Sequence, residues 1–217
     1  MLQKKNFSWL LSALLVFLIV VPIAEDFGLI STHVMRVAMF SWLLAVGVWS
    51  LRGFGILFPI AMGLAIAGIV LSILTVSTPG DSFSFSAFAA AFGFILIAVW
   101  ATAKQVVIGN EVSLNRVVGA ISLYLLLGVL WAIAYAVLEL VSHGSLQGVS
   151  EPISQGWSND WLYFSFVTMT TLGYGDITPV TATARTLAYL QAVFGQFYLA
   201  ILVAGLVSAY ISERTRA

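Results

Sequence analysis

Six runs of apolar residues, at 7–23, 34–51, 54–76, 83–103, 117–141 and 186–210, constrain this chain more than any other feature. A helix needs about 20 apolar residues to cross hydrocarbon, and each run meets or nearly meets that length. The composition agrees: 61% hydrophobic and 8% charged residues, with a mean hydropathy of +1.05, describe a polytopic membrane protein. The first run follows Lys4 and Lys5, a pattern shared with secretory signals. Pro22-Ile23-Ala24 is a poor processing site and cleavage would leave an odd number of spans, so the run is read as a retained helix.

Charge then orients the spans, because cytoplasmic segments carry the excess of Lys and Arg. With the N-terminus inside, Lys4, Lys5, Arg52, Lys104, Arg116, Arg214 and Arg216 face the cytoplasm, and Arg36 and Arg185 lie outside. The expectation is a multi-pass protein of the cell membrane with both termini cytoplasmic. Trp9, Trp49 and Trp100 fall at the inner boundary, and Trp157 and Trp161 at the outer one, as an aromatic belt requires.

Several function classes drop out. Nine basic residues balance nine acidic ones, which gives no case for a nucleic-acid partner. Zero cysteines exclude disulfides and thiolate metal sites, and two histidines far apart in sequence make no metal cluster. There is no intramembrane grouping of acid, histidine and nucleophile, so neither an enzyme nor a cofactor is expected.

One polar, glycine-bearing stretch interrupts the apolar pattern. Thr168-Met169-Thr170-Thr171-Leu172-Gly173-Tyr174-Gly175-Asp176-Ile177-Thr178-Pro179 lies between the last two spans. Before it, Ser158-Asn159-Asp160 offers helix-capping side chains, and about 11 residues of helix at 1.5 Å each reach only about half of the hydrocarbon thickness. That is a re-entrant helix, and the non-helical backbone after it must line a cavity. The C-terminal end of the helix dipole, aimed at that cavity, favours a cation.

The stretch resembles the pore signature of single-pore-loop potassium channels, in which Thr-Val-Gly-Tyr-Gly forms the ion filter; here leucine replaces the usual valine. The resemblance is specific from about 138 to 210 and weak elsewhere. It implies potassium bound by backbone carbonyls of Thr171, Leu172, Gly173 and Tyr174, with the Thr171 hydroxyl adding an inner ring. Successive carbonyls face one axis only if the backbone alternates its hand, which Gly173 and Gly175 allow. Leu172 and Tyr174 would point away from that axis and wedge the loop from behind. Leu172 is longer than valine and not β-branched, so it alters the packing there.

The resemblance further implies a homotetramer, since one chain supplies one loop. Thr170, Asp176, Tyr163 and Glu139 are the expected filter supports. Tyr163 stands where many relatives carry a tryptophan, and its hydroxyl can bond Asp176 directly or through a water; Val167 has no polar group to assist. Glu139 would accept N–H bonds from the segment after the filter, near Val180 and Thr181; its other readings are a solvated rim charge or a partner for Arg185. Gly195, 20 residues beyond Gly175, is either the gating hinge of the inner helix or a close-packing residue against the fifth span. The Pro-x-Pro bend of voltage-gated relatives is missing, as 202–205 reads Leu-Val-Ala-Gly.

The expected organisation is a four-helix N-terminal bundle at 1–104, a cytoplasmic linker at 105–116 and a two-helix pore domain at 117–217 carrying the re-entrant helix and selectivity filter. The topology is similar to that of voltage-gated channels, but 83–103 contains no Arg or Lys and only Lys104 follows. Arg36 reads as a sensor or lipid contact, or as a snorkelling or paired charge. Small residues Gly63, Ala67, Gly68, Ala87 and Ala91 suit close helix packing. With the chain ending at Ala217, no cytoplasmic ligand-binding domain is expected. The expected function is passive, potassium-selective conduction with weak voltage dependence in a lipid bilayer. The rivals are a poorly selective cation channel and a non-conducting accessory subunit.

Overall fold

The computed structural model describes residues 6–27, 41, 44, 47–48, 55–77, 81–108, 114–150 and 157–216. Most of the expected second span and Arg36 therefore lie outside the described residues, as do Lys4, Lys5, Trp49, Arg52, Gly109, Asn110 and Glu111. What is described is all-α with a minimal two-stranded ribbon. Helix α1 (Asn6–Leu15) passes through a π-helical turn (Val16–Val20) into α2 (Val21–Asp26). Helices α3 (Leu57–Ser77), α4 (Asp81–Ile108) and α5 (Leu114–Val141) follow. After strand β1 (Leu146–Gln147) come the short helix α6 (Asn159–Met169), strand β2 (Thr178–Pro179) and the 35-residue helix α7 (Ala182–Arg216).

Among the described residues, four helical segments are long and apolar enough to cross a membrane: Phe7–Ala24, Leu57–Thr75, Ser82–Val106 and Asn115–Val141. The sixth expected span falls inside α7, whose length at 1.5 Å per residue exceeds the thickness of hydrocarbon. Helices α4 and α5 extend into the expected 105–116 linker from both sides, leaving 109–113 between them.

Helix α5 is the hub, packed against α1, α4, α6 and α7. On α4 a stripe of buried residues at every third or fourth position, Ala87, Ala91, Phe94, Ala98 and Ala101, marks the face turned to its neighbours. A Cβ on Gly68 of α3 would make ordinary van der Waals contact with Ala90 and Ala91, and one on Gly63 would meet none of the described residues within 4 Å, so neither position demands glycine. Gly128 of α5 does, because a side chain there would overlap the ring of Phe166 on α6.

The tryptophans divide. Trp9 and Trp100 are exposed, and Lys104 lies over the Trp100 ring at 5.1 Å, as at a membrane boundary. Trp161 is instead a core residue, 1% exposed among the helices around α6, so it does not belong to the belt. Trp157 is partly buried and meets Phe88 of α4 with ring centroids 6.1 Å apart, tying the N-terminal part of α4 to the segment that leads into α6.

Candidate functional site: the loop after the re-entrant helix

Helix α6 begins at a formed cap. Ser158 takes an extended conformation (φ −121°, ψ 153°) and its hydroxyl accepts the N–H of Asp160. The Asp160 carboxylate in turn accepts the Ser150 N–H at 2.7 Å and the Ser150 hydroxyl, which pins the preceding loop to the helix start. Eleven residues later the helix ends at Met169, and the chain turns back on it. Thr170 N–H bonds Phe166 O, Thr171 N–H bonds Thr168 O, and the N–H groups of Leu172 and Gly173 both bond Val167 O, at 2.9 and 3.3 Å. These bonds satisfy the carbonyls that a helix C-terminus leaves open.

They also fix where the other side of each peptide points. In a trans peptide the C=O opposes the following N–H, so with the N–H groups of 171–173 turned to α6, the carbonyls of Thr170, Thr171 and Leu172 face away from it. The hand of the backbone then alternates: φ is positive at Thr171 (59°), Gly173 (58°) and Gly175 (83°) and at neither residue between them. The glycines occupy the two places expected of them. Thr171 adds a third that sequence reasoning missed, because only glycine advertises this conformation. Leu172 and Tyr174 are 56% and 67% exposed, and a cavity of about 300 Å³ beside the loop is lined by Tyr163, Val167, Thr171, Gly173, Asp176 and Ala188 among others.

Tyr163 and Asp176 meet directly: the phenol donates to Asp176 Oδ2 at 2.6 Å. The Tyr174 ring stacks on Tyr163, with centroids 6.4 Å apart and planes 4° from parallel, so the side chain turns back toward α6. The hydrogen bond holds the Asp176 carboxyl below its ordinary value and, with it, pushes the Tyr163 phenol up to about 12. Thr170 caps α6 through its hydroxyl, 2.7 Å from Phe166 O, and the Thr171 hydroxyl accepts from Gln196 Nε2 of α7 at 3.4 Å.

Glu139 departs from expectation. Its carboxylate accepts the N–H groups of Gly144 (2.6 Å) and Leu146 (3.2 Å), in the loop directly after α5, and not those near Val180 and Thr181. The loop folds back over the end of its own helix, so its N–H groups reach the carboxylate first. The segment after the candidate filter is held one step further on: β1 pairs antiparallel with β2, Leu146 opposite Pro179, and Val180 N–H bonds Ser145 O at 2.8 Å. Arg185 bonds the Pro179 carbonyl at 3.2 Å. Gly148 seals the arrangement, since with φ at 92° a Cβ there would sit on the Asp176 carbonyl oxygen. Gly148 is visible in the sequence, but its distant partner is not.

Gly195 packs against the end of α6: a Cβ would strike the Met169 carbonyl. Helix α7 runs unbroken through this position.

Residues 122–212 match the family model described as ion channel. That segment is similar to the ion-channel family. Among curated proteins, similar segments occur in two-pore potassium channel 5 of Arabidopsis thaliana (47% identical over 49 residues, 23% of this chain and 12% of that protein). Two pore potassium channel c of Oryza sativa subsp. japonica is 38% identical over 86 residues, 36% of this chain and 18% of that protein. Two pore potassium channel a of the same plant is 37% identical over 100 residues, 46% and 25% respectively. The chain thus spans a quarter or less of the length of these relatives. No solved structure matches it. The matched segment takes in most of α5, all of α6 and most of α7, the half that carries the candidate site.

Proposed function

We propose that four copies of this chain enclose a passive, potassium-selective pore lined by the backbone of Thr171, Leu172, Gly173, Tyr174 and Gly175. The observation that carries the reading is the alternating hand at Thr171, Gly173 and Gly175, together with carbonyls at 171 and 172 turned away from α6. A ring of such oxygens replaces the hydration shell of an ion without a fixed charge that would trap it. One chain offers one loop, with Leu172, Tyr174 and a neighbouring cavity left open; cyclic assembly would cover them and close the ring. The similarity to proteins named two-pore potassium channels supports potassium as the ion.

In this reading Tyr163, Asp176, Thr170 and, through the 142–148 loop, Glu139 hold the filter in shape, and Gly195 is the inner-helix residue at which a bend would open the pore. The lysine and arginine distribution supports cytoplasmic termini and a filter that opens outward in the cell membrane. The first four helices serve as scaffold. Flux of potassium against sodium into liposomes of the purified protein tests the proposal: selective potassium flux supports it, equal flux of both ions favours a poorly selective cation channel, and no flux favours an accessory subunit.

A further inference from the structure

Three fully buried polar side chains of the C-terminal half lie behind the loop, one on each of its helices. Tyr135 on α5, Ser165 on α6 and Gln191 on α7 are each fully buried, and they form one network. The Tyr135 hydroxyl donates to Gln191 Oε1 at 2.7 Å. The Gln191 nitrogen donates to the Ser165 carbonyl at 3.0 Å and to its hydroxyl at 2.8 Å, and that hydroxyl donates to the Gly128 carbonyl at 2.7 Å. Every proton has an acceptor. The carboxamide has one workable orientation, because turning it over would set its oxygen against the Ser165 carbonyl.

Location gives the network its consequence. Ser165 stands one helical turn before Met169, where α6 ends and the loop begins, and the loop hangs by its N–H groups from Phe166, Val167 and Thr168. Gln191 stands one turn before Gly195, so it shares the face of α7 that touches Met169. The steric contacts here, Phe166 on Gly128 and Met169 on Gly195, set the spacing of the helices. Only directional bonds also fix how far α6 slides and rotates between them, and low dielectric makes such bonds strong when paired and costly when broken.

We propose that Gln191 is a positioning residue for the filter, fixing the depth of α6 between α5 and α7 and so the height at which Thr171 and Leu172 present their carbonyls. The proposal rests on the potassium-channel reading. Its test is the potassium-to-sodium permeability ratio, taken from reversal potentials of the full chain in planar bilayers. Gln191→Leu keeps the bulk but strips the partners from Tyr135 and Ser165, and an about tenfold fall in the ratio is expected. Tyr135→Phe removes a single bond, for which the expected fall is about threefold. An assembled Gln191→Leu channel with the wild-type ratio overturns the proposal. Should Gln191→Leu fail to assemble, Tyr135→Phe decides, a lowered ratio supporting the role and an unchanged one ending it. A wild-type chain without selective potassium current would overturn the channel reading itself, a result distinct from either.

Discussion

Thr75 and Ser86 in the leading helices bond their own helix, whereas several polar side chains of the C-terminal half, though not Ser122 and Thr186, reach across to other elements. In α3 and α4 the hydroxyls of Thr75 and Ser86 bond the carbonyls of Leu71 and Ser82, one turn back. In the pore half Tyr135 reaches Gln191, Tyr163 reaches Asp176, Ser165 reaches Gly128 and Tyr198 reaches Ala120. Hydropathy does not see this difference. Leu57–Thr75 and Asn115–Val141 score alike, at 2.5 and 2.3, yet 17% of the first is buried and 56% of the second. An apolar helix is licensed by lipid alone, but a cross-linked polar group has one acceptable place. Substitutions in the pore half should therefore disrupt function steeply, and those in α3 and α4 shallowly.

The largest effect belongs to Gly173 and Gly175. Both hold a left-handed backbone, which costs a residue with a Cβ about 1–2 kcal/mol, and four subunits would share the strain. Gly173→Ala or Gly175→Ala is expected to abolish selective conduction, read as the potassium-to-sodium flux ratio; an unchanged ratio in either would remove the filter assignment. Gly148→Ala comes next, because its methyl group would collide with the Asp176 carbonyl from a loop distant in sequence. Strain of this kind costs about 1–3 kcal/mol. A lost or weakened potassium preference in Gly148→Ala would show that the outer loop is part of the filter's frame.

These cases mark how far the sequence was legible. The spans were written in apolar length, the start of α6 in Ser158, and the alternation in Gly173 and Gly175, since each is a local rule with a residue type to announce it. Thr171 escaped because nothing but glycine signals positive φ. The partners of Glu139 and Gly148 escaped because the 142–148 loop and the β1–β2 pairing join segments far apart in sequence. Gln191 left a trace, a carboxamide inside an apolar run, but a lone polar residue does not say which helices it joins. Trp161 was misplaced since an interfacial tryptophan and a buried one read alike until a neighbour is known.

The Tyr163 to Asp176 bond predicts a pH dependence of known sign. A carboxyl held below its ordinary value contributes above that value and loses its contribution as pH falls through the lowered one. Selective current should stay level from neutral pH down to about 4 and decline only under stronger external acid. In Tyr163→Phe the lowering bond is gone, so the decline should begin at higher pH. Titration of single-channel current on the outer side checks both curves, and coincident curves would remove the bond from the account. By contrast Thr75→Val and Ser86→Ala, whose hydroxyls bond a carbonyl one turn back on their own helices, should shift unfolding by less than about 0.5 kcal/mol and leave selectivity unchanged.

The smallest effect expected is that of voltage, and it bears most directly on the contrast between the halves. One elementary charge crossing the whole field gains about 2.3 kcal/mol per 100 mV, and steep gating takes roughly three to four such charges in each subunit. Residues 83–103, the membrane-crossing part of α4, contain neither Lys nor Arg. Lys104 at the inner end rests on Trp100, whose ring is half exposed, a boundary position with little of the field to cross. Even with a contribution from Arg36, the charge moved stays near or below about one per subunit. That is too little to drive a switch across a physiological range. Helix α4 is also tied to the C-terminal half near both of its ends, through Phe88 to Trp157 and through the Arg116 bond to the Val106 carbonyl at 2.6 Å. A helix with no Lys or Arg between 83 and 103 and with contacts to the C-terminal half near both ends would act as scaffold, so open probability in reconstituted channels should be nearly flat with voltage. A steep sigmoidal curve in the absence of blocking ions would require several moving charges per subunit, and would overturn the division between a specified pore and a supporting bundle.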